Sequence, residues 1–276
     1  MEKKVFLKCK DHLISDQVFE LVQRTDLDIL ETRPVPENLE DYYKSEDYIS
    51  HTDATDNLKD KVYRIVKNYM LGKKLAWISQ FNTEGKILDI GAGTGDFLDR
   101  AKMSGWEVEG VEPNPDARSL ALSKGVILKK HVSEITSHNF DVITMWHVLE
   151  HIPDIESYIE NLKSLLNENG IAVIAVPNFK SHDAEFYGEF WAAYDVPRHL
   201  WHFSPNGIKE IFRNHGFELL KTRPLKFDSF YVSLLSEKYK SGKMNFPKAF
   251  YRGFVSNLKA ATSGEYSSLV YFFKKA

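Results

Sequence analysis

Apolar and polar positions alternate through the middle of the chain in short bursts, and each burst is followed by a stretch with helical spacing. Strands are expected at 86-KILDI-90, 107-EVEGVE-112, 126-VILKK-130, 140-FDVITMW-146 and 171-IAVIAVP-177, and late in the chain at 217-FELLKTR-223 and 266-YSSLVYFFK-274. Helices are expected over 95–104, 115–124, 154–167 and 205–215, with Asp154 and Ser204 as caps and Pro205 at a first helical position. Upstream, Leu58, Val62, Ile65, Val66 and Tyr69 predict an amphipathic helix from about Asp56 to Phe81, which Gly72 is placed to divide. Strands alternating with helices predict an α/β fold: a doubly wound parallel sheet with helices on both faces and its ligand at the carboxyl ends of the strands.

Two stretches fall outside this rhythm. Residues 1–45, with the Pro-punctuated 33-RPVPENLEDYY-43, read as an irregular acidic arm. Residues 225–264 interrupt the last strand pair with an aromatic, basic, helical insertion: Phe227, Phe230, Tyr231, Leu234 and Leu235 share one helical face, and Phe250, Phe254 and Leu258 repeat the pattern beyond Gly242 and Pro247.

Composition narrows the class without choosing a function. Apolar residues at 43% and charged residues at 27% suit a soluble globular protein, and the longest aliphatic run, 171-IAVIAV-176, is far too short to span a bilayer. The opening MEKKVFLKCKDH lacks a signal-peptide core and a single cysteine allows no internal disulfide, so a cytoplasmic location is expected. Residues 221–276 carry eleven Lys and Arg against three Asp and Glu, whereas residues 1–220 carry 25 against 36, so the basic character sits at one end.

The chemistry starts at 86-KILDIGAGTGDFLDR-100. Gly91, Gly93 and Gly95 form G-x-G-x-G after a strand, where glycines let the backbone approach a ligand. A dinucleotide fingerprint wants its third glycine where this chain has Asp96, and a phosphate-binding P-loop wants Lys and Ser or Thr after the last glycine. Glu112 ends the next strand, where a carboxylate accepts both hydroxyls of an adenosine ribose. Loop and carboxylate together call for an adenosine ligand that needs no pyrophosphate cradle.

These residues resemble the class I S-adenosylmethionine-dependent methyltransferases over roughly residues 40–224. ILDIGAGTGDFL is similar to their first motif, VEGVEPNP to the second, FDVITMWHVLEHIPD to the fourth, and GIAVIAVPN to the strand that follows. The nearest likeness is to the ubiquinone and menaquinone type of small-molecule enzyme. The resemblance implies a Rossmann-like seven-stranded sheet with the last strand antiparallel and S-adenosylmethionine as cofactor, leaving S-adenosylhomocysteine as product. It implies that Asp89 and Gly91 meet the amino-acid end of that cofactor, Gly93 its ribose side and Glu112 the ribose hydroxyls, with Ala92 and Gly95 also among the cofactor-binding residues. Pro113, Val132 and Ser133 would border the adenine, with Trp146 and His147 beside the cleft, and Tyr43, Tyr48 and His51 would belong to a lid. The domain division expected is an arm or lid at 1–52, a core at 53–224, a substrate cap at 225–264 and a final core strand at 265–276.

In 147-HVLEH-151 and 197-PRHLWHFSP-205 the chain supplies His147, Glu150, His151, His199 and His202. H-x-x-E-H matches an inverted zincin string, yet Pro153 and the strand just before it exclude the long helix that motif requires. Some related enzymes resemble E-x-x-E-H here and bind a divalent metal; with His147 in place of the first Glu the oxygen site is softened, and no metal is expected. Cys9, His12, Thr25 and Asp28 look like degenerate remains of a zinc ribbon, again with no metal expected. For a hydroxyl or carbon acid the candidate bases are His151, then His199 and His147, because histidine titrates near neutral pH. Asp195 and Arg198 should border the acceptor pocket, with Trp191, Tyr194 and Trp201 as aromatic walls.

The function expected is methyl transfer to an O, C or N atom of a small-molecule, lipid-precursor or sugar acceptor, with an anionic acceptor or a membrane surface suited to the insertion's lysines. A catalytically silent cofactor-binding scaffold and an RNA methyltransferase are the alternatives. The second is disfavoured by an acidic core without an RNA module, so no nucleic-acid partner is expected. The acceptor and the oligomeric state are not readable from these patterns.

Overall fold

The computed structural model describes residues 4–43 and 58–276. Tyr48 and His51, assigned above to a lid, lie outside the described residues. Among the described residues the strands are β1 (Val5–Lys10), β2 (Val18–Gln23), β3 (Ile29–Arg33), β4 (Lys86–Ile90), β5 (Glu107–Val111), β6 (Phe140–Trp146), β7 (Leu166–Pro177), β8 (Trp201–Phe203), β9 (Phe217–Pro224) and β10 (Ser268–Lys275). The helices are α1 (Leu58–Ile78), α2 (Asp96–Met103), α3 (Pro115–Ser123), α4 (Ile155–Leu165), α5 (His182–Tyr187), α6 (Pro205–Asn214), α7 (Asp228–Ser241) and α8 (Phe246–Ser263).

Six strands form the main sheet in the order β5-β4-β6-β7-β10-β9. β5, β4, β6 and β7 run parallel, while β10 lies antiparallel to both β7 and β9. Successive residues of a strand face opposite sides, and the two cores follow from that period. Leu88, Ile90, Ile143, Met145, Ile174 and Phe273 face α4 and α6, whereas Ile87, Val142, Val173, Ala175, Val270 and Phe272 face α1, α2 and α3. Phe212 of α6 stacks on Phe273 at 4.1 Å between ring centroids, a buried pair whose truncation to Ala at either member costs about 3–5 kcal/mol.

The seventh strand expected at 126–130 is absent as a ladder. Val126 and Leu128 are buried and Ile127 is exposed, so the alternation is real, but a single bridge from Lys129 to Val111 is all that ties the segment to the sheet. Nor does Gly72 divide its helix, which runs unbroken from Leu58 to Ile78.

Residues 4–43 are more ordered than the irregular arm expected. β1, β2 and β3 form an antiparallel meander whose edge pairs with β8, and Cys9, Phe19, Leu21 and Leu30 pack with Phe179, Tyr187 and Trp191 in a third core. This small sheet stands beside the carboxyl end of β6 and β7 because Asp11, at its first turn, pairs with the fully buried Arg198 at 3.1 Å.

Candidate active site

At the end of β4 the chain turns through Gly91, Ala92, Gly93, Thr94 and Gly95 into α2. Gly91 and Gly93 have φ of 72° and 54°, the left-handed region that suits glycine. A Cβ at Gly91 would run into Val148, whereas one at Gly93 would meet nothing within 4 Å, so the loop presents bare backbone to open space. The N–H groups of Gly91 and Ala92 both reach the Val111 carbonyl, at 2.8 and 2.9 Å, which locks the loop to the end of β5. There Glu112 accepts the Gly93 N–H at 2.9 Å and the Asn114 N–H at 2.8 Å. Each oxygen keeps a further lone pair, so the carboxylate is held in place with acceptor capacity to spare.

Asp96, the residue that argued against a dinucleotide motif, braces this loop. It accepts Thr94 Oγ1 at 2.6 Å and pairs with Lys67 at 2.8 Å and Lys124 at 2.9 Å. Burial would raise its carboxyl pKa, but the hydrogen bonds from Lys67, Thr94 and Lys124 hold it below the usual range. Lys129 accepts the Glu112 N–H through its carbonyl, and Val132 and Ser133 follow in a short 3-10 turn beside that strand tip; Pro113 is exposed at the rim.

Under the loop lies a buried charged layer. Asp89 accepts Thr144 Oγ1 at 2.5 Å, and its pKa is raised to about 7 by burial, against the opposing pull of Thr144 and Lys74. Lys74 of α1 reaches over the Trp146 ring at 4.0 Å from its centroid, and burial lowers its pKa although Asp89 and Asp228 draw the other way. Sequence reasoning missed Lys74. Its signal was a lysine on the inner face of α1, one turn from both Met70 and Ile78.

Past β6 the backbone turns sharply at His147, whose φ of 59° is uncommon for a residue with a Cβ. The turn sends Glu150 and His151 back toward the sheet, and a second left-handed residue, Asp195 with φ of 36°, returns His199 to the same place. Strained residues of this kind gather where the surrounding structure holds a site open.

His147 places Nε2 3.0 Å from Asp228 and Nδ1 3.4 Å from Glu150. Burial opposes its charge, but the bonds to Asp228 and Glu150 prevail and lift its pKa to about 10. It is therefore an imidazolium at neutral pH. Asp228 opens α7, 81 residues beyond its partner, and no local pattern pointed to it.

His151 Nδ1 lies 3.0 Å from the Arg198 carbonyl and 3.0 Å from the Tyr43 hydroxyl. The carbonyl can only accept, so Nδ1 carries a proton and the lone pair of the neutral ring falls to Nε2. His199 Nδ1 likewise donates to the Ala193 carbonyl at 2.9 Å; burial first and His151 second lower its pKa to about 4, which keeps it neutral. The two rings meet edge to face at 4.6 Å. His202 faces away, with Nε2 2.9 Å from Thr32 Oγ1.

Glu150, His151 and His199 bring one ligand atom each to within 4.8 Å of one another. Glu150 is fully buried; His147 Nδ1 stands 3.4 Å from its Oε1, Oε2 has no hydrogen-bond partner, and its pKa stays below the usual value because His147 and the other imidazoles outweigh burial. Two imidazole nitrogens and a carboxylate fit a divalent cation of borderline softness. Cys9, by contrast, is sealed in the third core with its thiol pushed up to about 12, chiefly by burial, and His12 stacks on Tyr239 at 4.6 Å.

A cavity of about 550 Å³ opens beside these histidines. His147, His151, Asp195, His199 and Asp228 form its polar end, and Tyr231, Leu234, Leu235, Tyr239 and Met244 its apolar walls. Trp191, Tyr194 and Trp201, expected as walls, are elsewhere: Trp191 and Tyr194 belong to the third core, and Trp201 donates to the Ile152 carbonyl. Arg198 is buried behind the wall, holding Asp195 at 2.6 Å.

Comparison with known proteins follows the same lines. A family model described as a methyltransferase domain matches residues 63–222. The ubiquinone biosynthesis O-methyltransferase of Rickettsia canadensis (strain McKiel) is 28% identical over 167 residues, 54% of this chain and 70% of that protein. The enzyme of the same name from Rhodopseudomonas palustris (strain HaA2) is 28% identical over 50% of this chain, and the match spans 59% of its own length. Among solved structures, the magnesium protoporphyrin IX methyltransferase of Synechocystis PCC 6803 with bound SAH superposes with a TM-score of 0.57 at 14% identity, over 86% of this chain and 97% of that one, a likeness of fold.

Proposed function

The chain belongs to the family of S-adenosylmethionine-dependent methyltransferases, and from that premise we propose that its cavity receives a hydroxyl-bearing amphiphile and directs methylation to the hydroxyl oxygen. The observation that carries the reading is the cavity's polarity: imidazoles and carboxylates gathered at one end and aromatic and aliphatic walls beyond. The named relatives' O-methylation agrees with it. An RNA substrate or a silent scaffold is not favoured, since neither needs such a pocket.

The residues of the cleft support the cofactor reading. Gly93 leaves room for close backbone approach, and Glu112 is aimed at ribose hydroxyls. Lys74 is placed to meet the carboxylate of the amino-acid end and Asp89 its ammonium, which would relieve the burial that now opposes both charges. When bound, S-adenosylmethionine supplies a methyl group already activated by a sulfonium. Alignment of donor and acceptor contributes roughly 7–11 kcal/mol. His151 adds a general base, worth roughly 10²–10⁴-fold: Nε2 takes the hydroxyl proton while the Arg198 carbonyl holds Nδ1–H. His147, already protonated, adds positive charge at the cavity's polar end instead of serving as a base.

A second reading, favoured by the buried Glu150 Oε2 that has no hydrogen-bond partner, gives Glu150, His151 and His199 to a divalent cation, which when bound would acidify a coordinated hydroxyl.

The test is turnover with labelled S-adenosylmethionine against three acceptor panels: phenols and catechols with apolar substituents, amines, and carbon acids. Transfer confined to the hydroxyl panel supports the reading. Transfer to amines alone overturns it.

A further inference from the structure

The insertion helix α8 is turned inside out. Its buried positions are the small residues Ala249, Gly253, Ser256 and Ala260, and a Cβ at Gly253 would lie 2.9 Å from the Phe230 backbone, so α7 and α8 touch almost backbone to backbone. The large residues cannot face inward at that spacing. They face out: Phe250 is 65% exposed, Phe254 53%, Leu258 62%, Tyr251 59% and Phe246 46%. Phe246, Phe250, Phe254 and Leu258 recur every fourth residue, so they form one stripe along the helix.

A stripe of this kind in a monomer marks a contact surface. Its surroundings select the partner. Residues 225–264 carry seven Lys and Arg against two acidic residues, Asp228 and Glu237. Both acids are occupied, Asp228 by His147 and Glu237 by Lys248 and the Tyr187 hydroxyl. Lys259 follows Leu258 on the exposed surface and Lys243 is exposed at the turn before the stripe, while Lys248 is taken up by Glu237. A two-fold contact with a second copy would bring these like charges together at its rim. An anionic lipid surface answers them with opposite charge and takes aromatic side chains into its headgroup layer.

The stripe also continues into the cavity. Phe230 stacks on Phe250 at 5.0 Å, and Tyr231 and Met244, each more than two-fifths exposed, line the cavity wall. We infer that α8 lies against an anionic bilayer with Phe250 and Phe254 inserted at the headgroup boundary, and that the cavity opens toward that surface. The lateral entry of the acceptor rests on the amphiphile reading above; the contact itself does not. No helix of the described residues is long and apolar enough to cross a membrane.

The experiment is sedimentation of the full chain with phosphatidylcholine vesicles, with and without phosphatidylglycerol, for the wild type and for the double variant Phe250→Ser, Phe254→Ser. The wild type should pellet with phosphatidylglycerol vesicles, less so as salt rises, and the variant should partition at least about tenfold less. Titration with S-adenosylhomocysteine should be unchanged in the variant, which shows that it is folded. Absence of wild-type enrichment, or equal enrichment of the variant, overturns the inference. A wild-type dimer by light scattering that the variant breaks, without vesicle binding, assigns the stripe to a second copy and overturns it as well. Vesicle binding without transfer to any hydroxyl acceptor would leave this surface standing and remove the acceptor reading alone.

Discussion

His151 Nδ1 lies 3.0 Å from the carbonyl oxygen of Arg198, and that contact decides which nitrogen of the imidazole is free. The carbonyl is held in turn, because the Arg198 guanidinium is clamped by Asp195 at 2.6 Å and Asp11 at 3.1 Å. Nothing about the string HVLEH announces a tautomer; it is imposed by a loop 47 residues further on.

Replacing His151 with Ala should therefore lower kcat by roughly 10²–10⁴-fold and leave S-adenosylhomocysteine affinity within about twofold, because the ring stands at the cavity's polar end and not in the glycine loop. Single-turnover transfer and calorimetric titration read the two quantities. Wild-type turnover should survive exhaustive chelation. Loss on chelation with recovery on added metal would hand Glu150, His151 and His199 to a cation.

Glu112→Gln should weaken S-adenosylhomocysteine binding by about tenfold or more. The amide keeps the shape, but only one of its two ends can accept, so the Gly93 and Asn114 N–H groups cannot both be served and the charge-assisted bonds, worth about 1.5–3 kcal/mol each, are lost. Unchanged affinity would detach Glu112 from the ligand.

Lys74→Met should discriminate between ligands. If the ammonium meets the carboxylate of the amino-acid end, S-adenosylhomocysteine binds at least about tenfold more weakly, while 5′-methylthioadenosine, which lacks that end, binds as before. An equal loss for both ligands would mean that Lys74 only shapes the cleft around Trp146.

The division between what could be read and what could not follows the range of the interactions. The main sheet was legible because a period of two, interrupted by helical spacing, is a local signal, and the glycine loop and Glu112 are likewise written within about twenty residues. The strand expected at 126–130 failed because alternation records burial, which Val126 and Leu128 have, and not the ladder, which they lack. The N-terminal strands escaped because their runs, VFLKCK, VFELVQ and ILETR, are short, and the sheet they form with one another is completed only by the distant Trp201–Phe203. Histidines were recognisable as a residue type, but their protonation depends on Asp228, Arg198 and Ala193, each placed by tertiary structure.

Arg198→Ala should destabilise the protein by about 3–5 kcal/mol, since it leaves the buried Asp11 and the partly buried Asp195 without their common partner. Urea unfolding measures the loss. It should also slow turnover, because the loop carrying His199 and the carbonyl on His151 would no longer be fixed; a destabilised variant with full kcat would separate the latch from the site.

The last expectation concerns pH, and two histidines act at opposite ends. His199 has an ordinary value of 6.5 and a folded value near 4, so between those limits the unfolded chain binds a proton that the native state refuses. Its contribution is intact above about pH 6.5 and is lost as pH falls toward 4, and His202, lowered by burial and by His199, acts in the same direction. His147 is reversed: its folded value near 10 lies above 6.5, so its ion pairs contribute fully below about 6.5 and are lost as pH rises through 10. Thermal melting should thus show a maximum near pH 6.5, falling on both sides. His199→Asn should flatten the acid limb, because the side chain no longer titrates, and Asp228→Asn should shift the alkaline limb downward, because one of the two acceptors that hold the His147 proton loses its charge. Melting curves whose acid limb is the same in wild type and His199→Asn would show that the buried imidazole is not what acid attacks.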